Sequence, residues 1–355
     1  MTRLPRLLPA TLLLLLSAAA CSPIYVLRAG YEEAKILSRR RPIAELVADS
    51  TTPPVTREKL RLVLQARTFA QDSLGLKAGD SYTTFSRLDS DTLALIVSAA
   101  YKDRFEAYTW WFPIVGHVPY KGFFSEGAAR KQMAALERKG LDTYLRPTTA
   151  FSTLGWFNDP LVSPLLRYDS VSLAETVVHE LTHNTLYAPG KAMFNESLAE
   201  FVGNRGAIAF FCGRYEPRPE DCRQARANWH DQLVFGAFLD GLVARLESLY
   251  SRTDLSYEQK LQRREVIFTD AKRTFVEQVQ PRFQASTYAG FLHTPLNNAS
   301  LLARRLYYHR LDLFERVYDQ GGGDLRTTLD RIFAAARANQ KDPYAAVEQL
   351  AGSPR

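Results

Sequence analysis

The sequence H-E-x-x-H at residues 179–183 constrains this chain more than any other segment. The residues before it, 172–178, have the apolar spacing of a helix. Residues four apart on a helix share a face, so the imidazoles of His179 and His183 can meet one metal ion. Glu180 lies beside that pair, where its carboxylate can take a proton from a metal-bound water. The pattern therefore predicts a helix with two metal ligands and a general base.

The residues around the motif delimit the predicted helix at both ends. Ser172 and Glu175 have the spacing of a capping box, which predicts the first turn. Residues 187–190 contain the proline and glycine that end a helix. Apolar residues between these limits predict one buried face: Ala174, Val177, Val178 and Leu181. The alternative is a surface helix with two histidines and a solvated glutamate, and the apolar face argues against it.

A second helix is predicted just downstream, from the apolar spacing of residues 194–202. Asn195 and Glu196 lie near its start, and twelve residues separate His183 from Glu196. A catalytic zinc site has three protein ligands and one open position, so Glu196 is the candidate third ligand. The alternative is a first-turn glutamate that the helix dipole favours.

Glu200 follows Glu196 by one turn and is predicted on the same face of the second helix. Three roles are open for it. It competes with Glu196 as a metal ligand, it accepts the outer N–H of a ligand histidine and fixes its tautomer, or it forms an ordinary salt bridge along the helix.

An H-E-x-x-H helix followed by a helix bearing Asn-Glu resembles the gluzincin metallopeptidases, the thermolysin-like group. The resemblance implies one zinc ion bound by His179, His183 and Glu196, with Asn195 and Glu200 around these ligands. The spacing of twelve residues is shorter here than in thermolysin or in the classical zinc aminopeptidases.

Four further segments are similar to a bacterial family of lipoproteins described as aminopeptidases. They are residues 112–124, 150–160, 194–197 and 295–299, and the resemblance runs from about residue 20 to near the C-terminus. It implies a zinc metallopeptidase, an aminopeptidase, that hydrolyses peptide bonds through a metal-bound water activated by Glu180. Two alternatives are an envelope endopeptidase with the same site and a non-catalytic lipoprotein that binds partners.

Peptide hydrolysis at zinc also needs a donor that stabilises the oxyanion. Tyr307 is the first candidate, because it lies with His309 on a predicted C-terminal helix and corresponds to the tyrosine of the gluzincin pattern. Tyr120 is the second candidate. The alternative for either tyrosine is an ordinary packing role.

Gluzincins bind substrate by pairing its backbone with a strand that precedes the metal helix. The corresponding residues here are Ser152, Thr153, Leu154, Gly155 and Trp156. The alternative is a core strand that ends in the turn at residues 158–160. An aminopeptidase also needs an anion for the substrate ammonium, and Asp159 and Glu200 are the candidates.

Residues 1–20 are predicted to be a signal peptide, with Arg3 and Arg6 before a short apolar run. The run ends in a bacterial lipobox-like sequence, so Cys21 is the predicted lipidation site. Membrane attachment would then be through this lipid anchor, and the predicted location is the bacterial cell envelope, on the periplasmic face of the outer membrane. The alternative is an ordinary signal peptide cleaved after Ala20.

The remaining cysteines, Cys212 and Cys222, are predicted to form a disulfide, because an exported compartment is oxidising. A metal-binding pair would need a shorter spacing. Without Arg3 and Arg6 the net charge of +7 falls to +5, and this mild excess does not indicate nucleic-acid binding.

The predicted fold class is α+β, with a small mixed or antiparallel sheet lobe that contains the zincin active-site helix, followed by a mainly α-helical lobe. The predicted domains are an N-terminal helical segment at 21–80, a zincin-like catalytic core at 81–205 and a helical C-terminal lobe at 206–355. Strands are predicted at 81–87, 93–101, 108–118 and 141–153. Helices are predicted at 24–48, 56–74, 125–139, 223–250, 255–283 and 298–319.

Overall fold

The computed structural model of the protein describes residues 23–112, 116–148, 158–213 and 218–352, with the side chains of the first helix described from residue 30. The predicted signal peptide, the lipidation site Cys21 and the substrate strand at 152–156 lie outside the described residues.

Helices account for most of the described chain. They are α1 (Pro23–Ser38), α2 (Ile43–Ala48), α3 (Pro54–Asp72), α4 (Glu126–Glu137), α5 (Ser170–Thr185), α6 (Ala192–Cys212), α7 (Pro219–Tyr250), α8 (Tyr257–Thr274), α9 (Ala289–His293), α10 (Asn298–Tyr308), α11 (Leu311–Gln320), α12 (Leu325–Ala338) and α13 (Pro343–Ala351). Within the described residues, no helix combines the length and the apolar character needed to cross a bilayer.

The strands are short and form three small sheets. They are β1 (Arg41–Pro42), β2 (Thr84–Ser86), β3 (Ala94–Ala100), β4 (Trp110–Phe112), β5 (Gly116–Val118), β6 (Tyr120–Phe123), β7 (Asp142–Thr148) and β8 (Leu161–Val162). The sheet orders are β1-β2-β8, β6-β3-β7 and the hairpin β4-β5. This mixture of small sheets with a helical C-terminal half confirms the predicted α+β class.

The sheet β6-β3-β7 is antiparallel and has two different faces. Successive side chains of a strand point to opposite faces. Val97, Ala99 and Phe123 on one face form a buried cluster with α4. Ile96 lies opposite both Gly122 and Arg146, on the other face, and α10 packs against β3 and β7. The second face therefore is the one available to form a cleft.

Helix α5 is the centre of the largest hydrophobic core. Its residues Leu173, Val177 and Leu181 are completely buried. The core also contains residues from both ends of the described chain, such as Ile36 and Ala351. Helices α3 and α6 pack directly against α5. The apolar face that the sequence predicts for the H-E-x-x-H helix is thus packed against the core. This packing fixes the position of the opposite, polar face.

Two glycines of α6 allow a close approach to α5. A Cβ atom at Gly203 would lie 2.8 Å from Glu175 Oε1 and 3.1 Å from His179 Cβ. A Cβ atom at Gly206 would lie 2.8 Å from Val178 Cγ1. Real Cβ atoms essentially never approach other atoms this closely, so a larger residue at either position would force a neighbouring side chain or the helix to shift.

The predicted helix boundaries are wrong where a local signal ends the helix. The helix predicted at 24–48 is interrupted at residues 39–42, because Pro42 lacks an amide hydrogen and Arg41 and Pro42 form β1. The helix predicted at 298–319 is two helices, since Arg310 has a left-handed backbone with φ of 55°. The segment 255–283 changes after Thr274 to a π-helical turn and then to a 3₁₀ turn that contains Pro281.

Two further local predictions are wrong. The N-cap of α5 is Asp169 and not Ser172, because the Asp169 carboxylate accepts a hydrogen bond from Ser172 N at 2.9 Å. The strand predicted at 108–118 is the β4-β5 hairpin, and β6 follows it directly.

At the end of α6, Cys212 and Cys222 form a disulfide.

A buried ionic network joins the sheet to the C-terminal helices. The guanidinium of Arg264 on α8 donates to both carboxylate oxygens of Asp142, at 2.8 and 3.2 Å. The backbone N–H of Asn298, at the start of α10, donates to the same carboxylate at 3.1 Å. Asp142 and Arg264 are each only 6% exposed. The network therefore sets the position of β7 relative to α10.

We expect Asp142→Ala to lower the free energy of unfolding by about 3–5 kcal/mol, because it leaves the Arg264 guanidinium buried without its counter-charge. Chemical denaturation measures this change. As a control, Arg130→Ala breaks the exposed pair with Glu126 in α4 and should cost less than about 1 kcal/mol. Equal effects of the two substitutions would show that the network does not hold the sheet in place.

Candidate metal centre

His179, His183 and Glu196 converge on one point between α5 and α6. Glu196 Oε2 lies 3.5 Å from His179 Nε2 and 3.7 Å from His183 Nε2. Ligand atoms about 2.1 Å from a tetrahedral ion lie roughly 3.4 Å from one another. The three side chains therefore fit a single metal ion, and the described residues bring together the ligand set expected from the sequence.

The electrostatics of these three residues favour a bound cation. Burial raises the pKa of the Glu196 carboxyl, but the charge of His183 and hydrogen bonds from both histidines hold it well below its usual range. Burial lowers the pKa of His179, and its hydrogen bonds to Glu196 and Glu200 more than reverse that effect. An ionised carboxylate thus faces two imidazole nitrogens in a buried position, which is the arrangement that a divalent ion satisfies.

The other nitrogen of His179 faces two more carboxylates. His179 Nδ1 lies 3.4 Å from Glu200 Oε2 and 3.9 Å from Glu175 Oε1. Glu200 therefore contacts the outer edge of the ligand histidine and is further from the metal position than Glu196. A carboxylate in this position can accept the N–H of Nδ1 and leave Nε2 free to bind a metal ion.

Glu175 is a residue of the site that the sequence interpretation missed. It was predicted to close a capping box, but Asp169 caps the helix and the Glu175 side chain is 20% exposed beside His179. Burial raises the pKa of the Glu175 carboxyl to about 8, with a further rise from the charge of Glu200. Its position four residues before His179 was the available signal, since that spacing places both side chains on one face.

Glu180 lies on the same helix and faces the same cavity. Its Oε2 atom is buried and has no hydrogen-bond partner among the described residues. Burial raises the pKa of the Glu180 carboxyl above its usual value. A buried carboxylate oxygen without a partner is energetically costly unless a ligand or water satisfies it. Its free oxygen is therefore available for proton transfer.

The metal position opens into a cavity of about 730 Å³. The cavity lies between the second face of the sheet β6-β3-β7, the helices α5 and α6, and the end of α10. Its lining includes Ile96, Tyr120, Gly122, Arg146, Thr148, Glu175, His179, Glu180, His183, Glu196, Glu200 and Tyr307. A concave site of this size with convergent polar groups is typical of a ligand-binding site.

Both tyrosines that the sequence nominates line this cavity. The ring of Tyr307 lies 6.3 Å from the ring of His179, and its hydroxyl accepts a hydrogen bond from Arg146 Nη2 at 3.0 Å. Burial and the charge of Glu196 raise the pKa of Tyr307 to about 12, and Arg146 opposes this rise. Burial raises the pKa of Tyr120 well above its ordinary value. Tyr307 is therefore the more acidic of the two donors.

Arg146 is the second residue that the sequence interpretation missed. It lies on β7, across the strand β3 from Gly122 on β6. Its Nε atom is buried without a hydrogen-bond partner among the described residues. The sequence offers no motif around Arg146, and only the strand alternation, once the register is known, places it on the cavity face.

Asn195, Asp159 and His309 do not have the roles in the site that the sequence suggests. Asn195 accepts from Ala188 N and donates to Ala188 O, at 2.9 Å each, so its amide closes the loop between α5 and α6 and does not contact a ligand histidine. The backbone of Asp159 bonds to Tyr82 and Ser81, and the residue does not line the cavity. His309 lies 3.0 Å from Asp240, outside the cavity.

One comparison with known proteins identifies a relationship. The family model described as "Putative aminopeptidase" matches residues 24–346, which is most of the chain. No curated protein and no solved structure matches the chain.

We expect the purified protein to bind about one divalent transition-metal ion per chain, as measured by elemental analysis and calorimetry. His183→Ala and Glu196→Gln each remove a ligand and should abolish tight binding. Glu200→Gln should weaken binding roughly 10–100-fold, because the outer edge of His179 loses its acceptor. His293→Ala, outside the cavity, is the control. Unchanged affinity in Glu196→Gln would contradict the assignment of the third ligand.

Proposed function

Because the chain belongs to this aminopeptidase family, we propose that it is a zinc-dependent aminopeptidase of the gluzincin type. The observation that carries the proposal is that the ligand atoms of His179, His183 and Glu196 all lie within 4.8 Å of one another, with Glu180 lining the same cavity. The family relationship indicates a peptide substrate, and the cavity provides the space for it.

Zinc is the metal that this donor set favours. Two imidazoles and one carboxylate form the ligand set of catalytic zinc sites, and three protein ligands leave one coordination position open. When bound, zinc polarises the substrate carbonyl and lowers the pKa of a water molecule at the open position.

Glu180 is the proposed general base. Its carboxylate takes a proton from the attacking water, whose oxygen forms a bond to the carbonyl carbon. The same carboxyl then delivers that proton to the leaving amine nitrogen as the C–N bond breaks, so water is added across the peptide bond. The raised pKa of Glu180 supports this role, because a general base works best when its pKa approaches the working pH.

Tyr307 is the proposed oxyanion donor, in preference to Tyr120. Arg146 donates to the Tyr307 oxygen, so the hydroxyl hydrogen of Tyr307 is left to point toward another acceptor. Its ring lies 6.3 Å from the ring of His179, which supports a position of Tyr307 beside the proposed metal site. A donor already fixed in orientation stabilises the developing negative charge without reorganisation.

Cleavage at the amino terminus is favoured over internal cleavage by the two carboxylates beyond His179. Glu175 and Glu200 line the cavity, and neither forms an ion pair with a lysine or arginine among the described residues. Burial and the charge of Glu200 raise the pKa of Glu175 to about 8, and a cation bound beside Glu175 would stabilise its ionised form. The α-ammonium group of a peptide supplies that charge, with Glu175 as its proposed partner.

The proposed place of action is the bacterial cell envelope, with the protein attached to the membrane through a lipid on Cys21. The short apolar leader before Cys21 supports export. The disulfide between Cys212 and Cys222 is consistent with an oxidising compartment outside the cytoplasm.

We expect Glu180→Gln to lower kcat on aminoacyl peptides roughly 10²–10⁴-fold, because the amide cannot take the proton from water. Steady-state kinetics of the zinc-loaded variant measure this loss. Metal content should match that of the wild type, since Glu180 is not a ligand. A variant with full activity would show that another group activates the water.

The preference for a free amino terminus can be measured with pairs of peptides that differ only in N-acetylation. We expect kcat/KM of the wild type to be far higher for the free-amine member, and Glu175→Gln to reduce this ratio roughly tenfold by removing the carboxylate that pairs with ammonium. Glu247→Gln, at an exposed carboxylate on α7, is the control.

The outcome of this panel also separates the alternatives. Efficient cleavage of N-acetylated peptides would favour an endopeptidase. Absence of hydrolysis by the zinc-loaded protein, across the whole panel, would favour a lipoprotein that binds partners without catalysis.

A further inference from the structure

Arg146 is a cation inside the cavity that the proposed chemistry does not fully use. One nitrogen, Nη2, donates to the Tyr307 hydroxyl, and the guanidinium carbon lies 5.5 Å from the Tyr307 ring. The Nε atom is buried and without a hydrogen-bond partner among the described residues. An arginine has five N–H donors in a planar fork, so most of its capacity remains open.

No carboxylate of the described residues forms an ion pair with Arg146. Its contacts are with Tyr307, and the acid that most affects it electrostatically is Glu196, which is committed to the metal position. A desolvated guanidinium without an anionic partner is costly, and buried charges in proteins are therefore paired. In a cavity that accepts substrate, the missing anion is expected on the ligand.

The charges of the cavity are separated in space. Glu196 lies at the Nε2 edge of His179, and Arg146 interacts with Glu196 and Tyr307 on that side. Glu175 and Glu200 lie at the opposite, Nδ1 edge of the same imidazole. The imidazole of His179 therefore separates two carboxylates, Glu175 and Glu200 at its Nδ1 edge, from the metal position and Arg146 on its Nε2 side.

This separation matches a small molecule with an ammonium group at one end and a carboxylate at the other. A guanidinium binds a carboxylate with two parallel N–H···O bonds, which a lysine or a neutral donor cannot reproduce. The cavity volume of about 730 Å³ lies within the range of sites that enclose small ligands.

We propose that Arg146 binds the C-terminal carboxylate of a short peptide, so that the enzyme acts on free dipeptides and tripeptides. This inference rests on the proposed aminopeptidase activity. It adds the substrate class: peptides that are unblocked at both ends and short enough for the ammonium to reach Glu175 while the carboxylate reaches Arg146.

The experiment compares Leu-Gly-Gly with its C-terminal amide, Leu-Gly-Gly-NH₂, which has the same scissile bond. We expect kcat/KM of the wild type to be roughly 10–100-fold higher for the free acid, mainly through KM, because the amide loses a charge-assisted pair. Arg146→Gln should bring the ratio close to one. Arg146→Lys keeps the charge but not the fork, and should retain part of the preference.

Two control variants separate recognition of the carboxylate from other effects. Lys121→Gln removes one positive charge from the strand β6 at the same cavity and should leave the preference for the free acid in place. Tyr307→Phe should lower kcat for both peptides and preserve their ratio. If Arg146→Gln instead lowers both activities equally, Arg146 only orients Tyr307 and the inference is wrong.

Binding measured without turnover keeps the two proposals apart. Glu180→Gln, loaded with zinc, should bind the free acid more tightly than the amide in calorimetry, and the added Arg146→Gln should remove this difference. Equal binding of both peptides would overturn the role of Arg146 whatever the activity. A clear binding difference with no hydrolysis by the wild type would instead overturn the proposed peptidase function.

Discussion

The close contact between α5 and α6 is the constraint on which the site depends. Gly203 has no side chain, so the backbone of α6 can approach Glu175 and His179 to a distance that any Cβ atom would prevent. That approach brings Glu196 and Glu200 to opposite edges of one imidazole. With a larger separation, the two histidines of α5 and the two glutamates of α6 would be too far apart to contact one another. The buried apolar face of α5 resists such a displacement, because moving it would expose side chains that the core encloses.

The parts of the site that could be predicted are those set by helical spacing. His179 and His183 are one turn apart, and Glu196 lies near the start of the next helix, so local geometry already restricts their positions. Glu175 obeys the same rule, but a capping interpretation competed for it, and only the hydrogen bond of Asp169 decides between the two. The pairing of Arg146 with Tyr307 joins residues 161 positions apart. It depends on how a strand and a C-terminal helix meet, which no local pattern in the sequence encodes.

The same distinction explains the errors in the fold. The α+β class follows from segment composition, which averages over many residues and tolerates errors at single positions. Helix ends depend on individual residues, such as Pro42 or the left-handed backbone of Arg310. An arginine in that conformation is uncommon and carries no sequence signature. The break at Arg310 nevertheless matters, because it ends α10 just after Tyr307 and lets the chain turn into α11.

The origin of the cleft residues in different elements has a consequence for how such proteins diversify. The proposed metal ligands and the base lie on α5 and α6, whereas Arg146 and Tyr307 lie on β7 and α10, which the Asp142 carboxylate holds together. The sheet face supplies none of the proposed metal ligands, so substitutions on it can change which substrates fit while those ligands are kept. Within one family, the reaction can stay constant while the substrate changes. Relatives that have another residue in place of Arg146 are the first in which to look for a different substrate specificity.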